Sequence, residues 1–312
     1  MHPTLAPIAV LGAGSWGTAL ALVVARNGFS VRLWDHCPEQ VTALARDRDN
    51  KRYLPGFTLP DNLEPVFDLA RAVEGATEIL VVVPSHGFAG LLRNLPPLTP
   101  DMGMAWATKG LEPGTNRLLH EVAAEELGLR DMAVVSGPSF AREVARGLPT
   151  AVTIASPRLE QARRVAAYLH GERFRCYTSD DLVGVEVGGA AKNVLAIATG
   201  IADGLGFGAN TRAALITRGL AELTRFGMAL GGRLETFMGL AGLGDLVLTC
   251  TDDQSRNRRM GLALAKGTSL EEAMRLIGQE VEGVITARSV HNFAQRLGVE
   301  MPISEQVYRV LY

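Results

Sequence analysis

Lys192 sits where a lysine is out of place. It lies inside an apolar helical run from Leu182 to Ile201, after Gly188-Gly189-Ala190-Ala191 and before Asn193, with Glu186 as the other charge. A lysine in such a run is paired, reaches solvent along its stem, or is functional. Burial disfavours the ammonium form and lowers its pKa. A lysine tuned in that way can exchange a proton with an alcohol. Oxidising an alcohol to a ketone needs that base together with a hydride acceptor. The small residues ahead of Lys192 let a ligand approach the helix backbone. From the spacing alone, a stem that carries its charge out to water explains Lys192 equally well.

A hydride acceptor has an obvious place. Gly12-Ala-Gly14-Ser15-Trp16-Gly17 follows the apolar run Ile8–Leu11 and opens a helical pattern. In a strand–turn–helix unit the first glycine permits the tight turn, the second lets the backbone approach a pyrophosphate, and the third lets helix and strand pack closely. The amides around Ser15 and Trp16 then face the phosphates. A second strand ends at Asp35, eighteen residues past Gly17, as a dinucleotide-binding unit requires. An acid at that position bonds the ribose hydroxyls of NAD and repels a 2′-phosphate. The neighbouring His36, with Arg32 close in sequence, argues for NADP instead. Asp35 could also serve as a helix N-cap ahead of Pro38.

Groups able to hold an anion recur further on. Gly242-Leu-Gly244-Asp245 is followed by Ser255-Arg256-Asn257-Arg258-Arg259. A hydroxyl, a guanidinium fork and an amide suit a phosphate or sugar oxygen; the same arginines could instead form a solvated helix face. Thr108-Lys109-Gly110 and Gly137-Pro-Ser139-Phe-Ala141 each follow a strand end. Strand C-termini face the ligand crevice in parallel sheets, so Lys109, Gly137, Ser139 and Ala141 join the set.

These groups need a frame. Strands are predicted at Ile8–Leu11, Ser30–Trp34, Ile79–Val83, Met104–Ala107, Ala133–Val135 and Ala151–Ala155, with helical patterns between them. That alternation indicates parallel βαβ units. From about Asp180 the pattern becomes almost entirely helical. The expected architecture is α/β: a Rossmann-type dinucleotide-binding domain over residues 1–179, then a mostly α-helical domain over 180–312. Hydrophobic residues make up 47% of the 312, enough for the cores of two such units. The net charge of -2 supplies no global positive field for nucleic acid or an anionic membrane. Cys37, Cys176 and Cys250 are too scattered for a disulfide framework, which points to a reducing cytoplasm. The histidines show no metal-ligand clustering, so no metal site is expected. Met1 to Pro7 lacks the pattern of a signal peptide. Glu186, Lys192 and Asn193 would be costly in a bilayer, so the apolar run reads as a buried helix rather than a membrane span.

Taken together, the motifs resemble the bacterial NAD(P)-dependent glycerol-3-phosphate dehydrogenases. The matching segments are GAGSWGTALA at Gly12–Ala21, ATKGLE at Ala107–Glu112, SGPSFAREV at Ser136–Val144 and GGAAKNVLAIATGIADGL from Gly188. AGLGDLVLTC from Ala241, SRNRRMG from Ser255 and VEGV from Val281 complete the set, in the family's order across nearly the whole chain. The resemblance implies interconversion of dihydroxyacetone phosphate and sn-glycerol 3-phosphate with NADH or NADPH, the product supplying phospholipid synthesis. It implies that Lys192 gives the proton in reduction and takes it in oxidation. Lys109, Gly137 and Ser139 would contact substrate, and Asp245, Ser255, Arg256 and Asn257 would hold its glycerol and phosphate oxygens. Ser15, Trp16, His36, Lys109, Ala141, Arg256 and Glu282 would line the cofactor site. A homodimer through the helical part follows by fold-level analogy. Two other readings stand beside this one: a β-hydroxyacid dehydrogenase of similar architecture, which needs a carboxylate clamp, and a non-catalytic NAD(P)H sensor, which leaves Lys192, Lys109 and Asp245 without a task.

Overall fold

Apolar runs with no polar face need cover on both sides, and the chain provides it. In the computed structural model, which describes residues 6–128 and 130–312, Ile8–Leu11 forms β1 and is buried throughout. The remaining strands are β2 (Val31–Trp34), β3 (Asp49–Asn50), β4 (Leu54–Thr58), β5 (Leu63–Val66), β6 (Glu78–Val81), β7 (Gly103–Trp106), β8 (Met132–Ser136), β9 (Thr150–Ala155) and β10 (Phe174–Ser179). Eight of them make one sheet in the order β10-β9-β8-β7-β6-β1-β2-β5, and β3 and β4 pair as a separate antiparallel hairpin. The helices Ser15–Arg26 and Leu159–Leu169 bury one face of the sheet. Helices Leu69–Val73, Ser85–Arg93 and Leu119–Leu127 bury the other. β1 lies between β2 and β6, so the strand order reverses there. That reversal opens a crevice beyond the carboxyl ends of the strands.

The sheet departs from the parallel expectation at one pair. β9 runs antiparallel to β8, with Val135 opposite Ile154, while β9 and β10 are parallel to each other. The link from β8 to β9 holds only the short helix Ala141–Arg146, which packs against the helix Ser15–Arg26 instead of carrying the chain back across the sheet. A parallel return needs such a crossover. Periodicity did not mark the two edge strands of the sheet, β5 and β10, or the β3–β4 hairpin.

Beyond Ser179 the chain is helical, and its centre is the helix Leu182–Gly204. Asp181 caps it, accepting from the amide of Gly184 at 2.9 Å. This is the one helix among the described residues long and apolar enough to cross a membrane, and 94% of its apolar window is buried inside the fold. Helices Gly208–Ala229, Asp245–Thr251, Arg256–Ala265, Glu282–Leu297 and Pro302–Leu311 surround it. Its small residues let two neighbouring segments approach unusually closely. A Cβ at Gly200 would lie 2.2 Å from the carbonyl oxygen of Arg258, and one at Gly188 would lie 2.4 Å from that of Ala241. The first contact seats the segment that begins at Ser255. The second seats the π-helical turn Leu240–Gly244, from which Asp245 follows.

Candidate active site

The central helix delivers Lys192 to a buried carboxylate. Lys192 is 6% exposed. Its ammonium donates to Asp245 Oδ1 and, at 2.8 Å, to Thr249 Oγ1. Lys109, from the loop after β7, reaches the other carboxylate oxygen of Asp245 at 2.7 Å and the carbonyl of Gly137 at 3.2 Å. Two cations thus share one anion that is only 1% exposed. Burial pushes the Lys192 ammonium down to about 8; Asp245 opposes that shift and Lys109 reinforces it. Burial also works against the Asp245 carboxylate, yet Lys109 and Lys192 together hold it below the usual carboxylate range. The plain alternative for Lys192, a stem carrying its charge to solvent, is not what the fold does.

The other candidate anion-binding residues differ in how far their polar groups are already engaged. Ser255 caps the helix Arg256–Ala265, accepting from the Arg258 amide at 3.2 Å, which leaves its own proton to give. Asn257 spends its amide between elements: it donates to Asn193 Oδ1 at 2.9 Å and accepts from the Gly283 amide at 2.8 Å. Arg256 is half-buried and has no hydrogen bond or ion pair among the described residues. Burial lowers the pKa of its guanidinium, with Glu282 acting against the shift. Arg258, by contrast, is committed to Asp203 and Asp253, and Arg259 is exposed. The basic run therefore divides into one uncommitted, one structural and one solvated arginine. Ser139 donates to the Gly137 carbonyl at 2.9 Å, beside Lys109. Ala141 begins the next short helix and packs on the sheet core.

The glycine turn has the geometry its spacing required. Gly12 has φ +117, and a Cβ there would meet the Val82 backbone at 2.9 Å. A Cβ at Gly17 would come 1.8 Å from the Gly12 carbonyl oxygen, whereas Gly14 faces open space. Helix Ser15–Arg26 starts without a side-chain cap, so its first amides are free for an anion. Ser15 and Trp16 are half-buried at that helix start. Asp35 takes the Ala13 amide at 3.1 Å and the Cys37 amide at 3.0 Å, bracing the turn from the end of β2. The cap position of helix Pro38–Asp47 belongs to Cys37, so Asp35 is not that helix's N-cap. His36 is exposed.

A chain of contacts joins the turn to Lys192. Gly12 abuts Val82, and three residues later Ser85 gives its amide and hydroxyl to Glu282 at 2.9 and 2.8 Å. Gly283, next to Glu282, bonds Asn257, which bonds Asn193, the neighbour of Lys192. Burial raises the Glu282 carboxyl, and the Ser85 donors pull against that shift. Two contributors were not singled out from sequence. Thr249 lies four residues after Asp245, on the same helix face, and that spacing could have revealed it. Asn50, from the β3–β4 hairpin, donates to the Ala13 carbonyl at 2.8 Å and to Thr18 at 2.7 Å, and no local signal marked it.

The comparisons with known proteins agree on one family. Residues 7–162 match the N-terminal region of NAD-dependent glycerol-3-phosphate dehydrogenase, and residues 181–312 match its C-terminal region. A protein of Thioalkalivibrio sulfidiphilus named glycerol-3-phosphate dehydrogenase, NAD(P)+, is 61% identical over 308 residues, covering 98% of this chain and 92% of its own. A protein of the same name from Nitrosococcus oceani is 61% identical over 305 residues, covering 97% and 89%. The crystal structure of glycerol-3-phosphate dehydrogenase from Coxiella burnetii superposes with a TM-score of 0.97 at 53% identity, covering 99% of this chain and 95% of that one.

Proposed function

The chain belongs to the NAD-dependent glycerol-3-phosphate dehydrogenase family, and from that premise we propose how its own residues carry the reaction. It is an NAD(P)-dependent oxidoreductase that interconverts dihydroxyacetone phosphate and sn-glycerol 3-phosphate. The sn-glycerol 3-phosphate it forms supplies phospholipid synthesis. Family membership removes the hydroxyacid and sensor readings.

The residues of the glycine turn fit a dinucleotide. Gly14 opens onto space, the helix amides at Ser15 and Trp16 are uncapped, and Asp35 keeps lone pairs beyond its two amide bonds. When bound, the nicotinamide supplies or accepts the hydride. The chain's part is to hold a pyrophosphate at Gly12, Gly14 and Gly17, a ribose at Asp35 and His36, and the remainder along Lys109, Ala141, Arg256 and Glu282. Asp35 supports NAD and the exposed His36 tolerates NADP, so both are used.

Lys192 carries the reading. In reduction its ammonium gives a proton to the carbonyl oxygen of dihydroxyacetone phosphate, and in oxidation the neutral amine takes it back. Asp245 fixes both lysines, and Thr249 fixes the second donor direction of Lys192. Lys109 adds positive charge where the carbonyl oxygen becomes an alkoxide. Arg256, which has no hydrogen bond or ion pair among the described residues, takes the phosphate together with the Ser255 hydroxyl and the second Nδ2 hydrogen of Asn257. Gly137 and Ser139 border the glycerol end. A phosphate dianion next to Lys192 raises its proton affinity on binding, which keeps it as the ammonium for reduction.

The same reading divides the chain between residues 179 and 180 and places the enzyme in the cytoplasm, on its free cysteines. It also makes the enzyme a homodimer through the helical part, where Leu205, Phe207, Met228 and Leu234 are exposed. The direct test is oxidation of NADH and of NADPH, with and without dihydroxyacetone phosphate. Both cofactors are oxidised only when substrate is present; failure with both refutes the reading.

A further inference from the structure

A second charge is buried on the helix that carries Lys192. Glu186 lies six residues ahead of it, about 9 Å along the axis, and is 6% exposed. A buried carboxylate is costly unless donors satisfy it. Three do so here. Trp106 Nε1 donates at 3.2 Å, the His120 amide donates at 3.1 Å, and His120 Nδ1 lies at 2.5 Å. Trp106 ends β7, and the chain reaches Lys109 three residues later. His120 stands in the first turn of helix Leu119–Leu127, so the carboxylate also faces the positive end of that helix. Burial raises the Glu186 carboxyl, and His120 works against that rise. Glu186 itself makes no hydrogen bond to Lys109, Lys192 or Asp245 among the described residues.

A carboxylate buried against a half-buried imidazole is a weak source of stability, since an apolar replacement of similar volume is often no worse. What this pair does is fix a register. One of its anchors leads directly to Lys109, and its carboxylate rides on the helix of Lys192. Both lysines must reach opposite oxygens of one carboxylate, Asp245. Asp245 cannot follow two elements that move apart, so a slide of the helix along β7 would spoil one of these contacts.

We infer that Glu186, held by Trp106 and His120, is a positioning residue for the reaction: it sets the register of the Lys192 helix against the strand that leads to Lys109. This rests on the reading of Lys192 as the proton carrier. The experiment measures kcat, substrate KM, cofactor Kd and Tm for Glu186→Gln and Glu186→Leu, each in the native and Lys109→Met backgrounds. Glu186→Gln keeps an oxygen for Trp106 and the His120 amide, so it folds. Its kcat falls about tenfold and that of Glu186→Leu about a hundredfold, on the general cost of an ångström-scale misplacement. Cofactor Kd stays within about twofold, because the glycine turn is untouched. In the Lys109→Met background, where the paired arrangement is already lost, Glu186→Gln costs less than about twofold more. Native-like kcat in Glu186→Gln, or an undiminished loss on top of Lys109→Met, overturns the inference. Should Glu186→Leu not fold, Glu186→Gln decides alone. A Lys192→Met enzyme that keeps its turnover would remove the underlying reading without altering this comparison, so the two failures are distinguishable.

Discussion

Replacing Asp245 with asparagine removes one charge while keeping the volume and a hydrogen-bonding head. In the native site that charge touches both ammoniums at 1% exposure. Lys192 is brought to about 8 by burial, with Asp245 opposing the fall and Lys109 deepening it. Asp245→Asn deletes the largest opposing influence. An opposite charge in contact shifts a partner by roughly 1–3 units, so Lys192 in the variant titrates that much lower. A bare Coulomb figure sets the ceiling: at about 3 Å and an effective dielectric of about 20 the attraction is about 5.5 kcal/mol, or ~4 units. With a value near 8, about nine-tenths of Lys192 is ammonium at pH 7; with a value near 6, about one-tenth is. Reduction consumes the ammonium form. The kcat/KM for dihydroxyacetone phosphate at pH 7 therefore falls about tenfold from this cause, and its alkaline limb moves to lower pH. Oxidation of sn-glycerol 3-phosphate uses the neutral amine, so its rising limb moves down by the same amount. The assay is kcat/KM in both directions between about pH 5 and pH 10, because kcat/KM reports the ionisations of the free enzyme. Limbs that stay within about 0.3 unit of the native enzyme would refute the electrostatic account of the lysine pair.

Three further outcomes follow from particular contacts. Arg256→Ala raises the substrate KM by about 10- to 100-fold, the worth of a charged hydrogen bond, and changes cofactor Kd less; a larger change in cofactor Kd than in KM contradicts the phosphate assignment. Gly17→Ala forces a Cβ to within 1.8 Å of the Gly12 carbonyl, so thermal melts should show a lower Tm and loss of stabilisation by NADH; an unchanged NADH-dependent Tm argues against the turn geometry. Asn50→Leu strips the Ala13 carbonyl and Thr18 of their buried donor and should destabilise the protein by about 1–3 kcal/mol in urea unfolding, with weaker NADH binding; a variant as stable as the native protein would show that the hairpin does not brace the turn.

How much of this could be read along the chain differs from element to element. The glycine turn was legible because its demands are covalent and local: a positive φ at Gly12 and no room for a side chain at Gly17. The helix around Lys192 was legible from its length and apolar content, but the fate of the ammonium was not. Whether it is buried or snorkels depends on Asp245, more than fifty residues away in sequence. Strand direction was equally hidden. Thr150–Ala155 reads as a strand in either sense, and only the path of the short helix before it decides that β9 runs antiparallel. Asp35 illustrates the limit of position alone: the end of β2 was clear, but the amides of Ala13 and Cys37 that it holds are set by the tertiary fold. Glu186 carried no signal beyond being a charge in an apolar run, because its three donors come from two other elements.

The central claim is that Lys192 moves the proton, and Lys192→Ala tests it most directly. Steady-state turnover of dihydroxyacetone phosphate and the Kd for NADH should be measured on the same preparation. The account predicts a kcat lower by about 10²–10⁴-fold, the usual contribution of a positioned acid–base group, with NADH bound within about twofold of the native Kd. A variant that binds NADH normally and turns over within about tenfold of the native enzyme would contradict it.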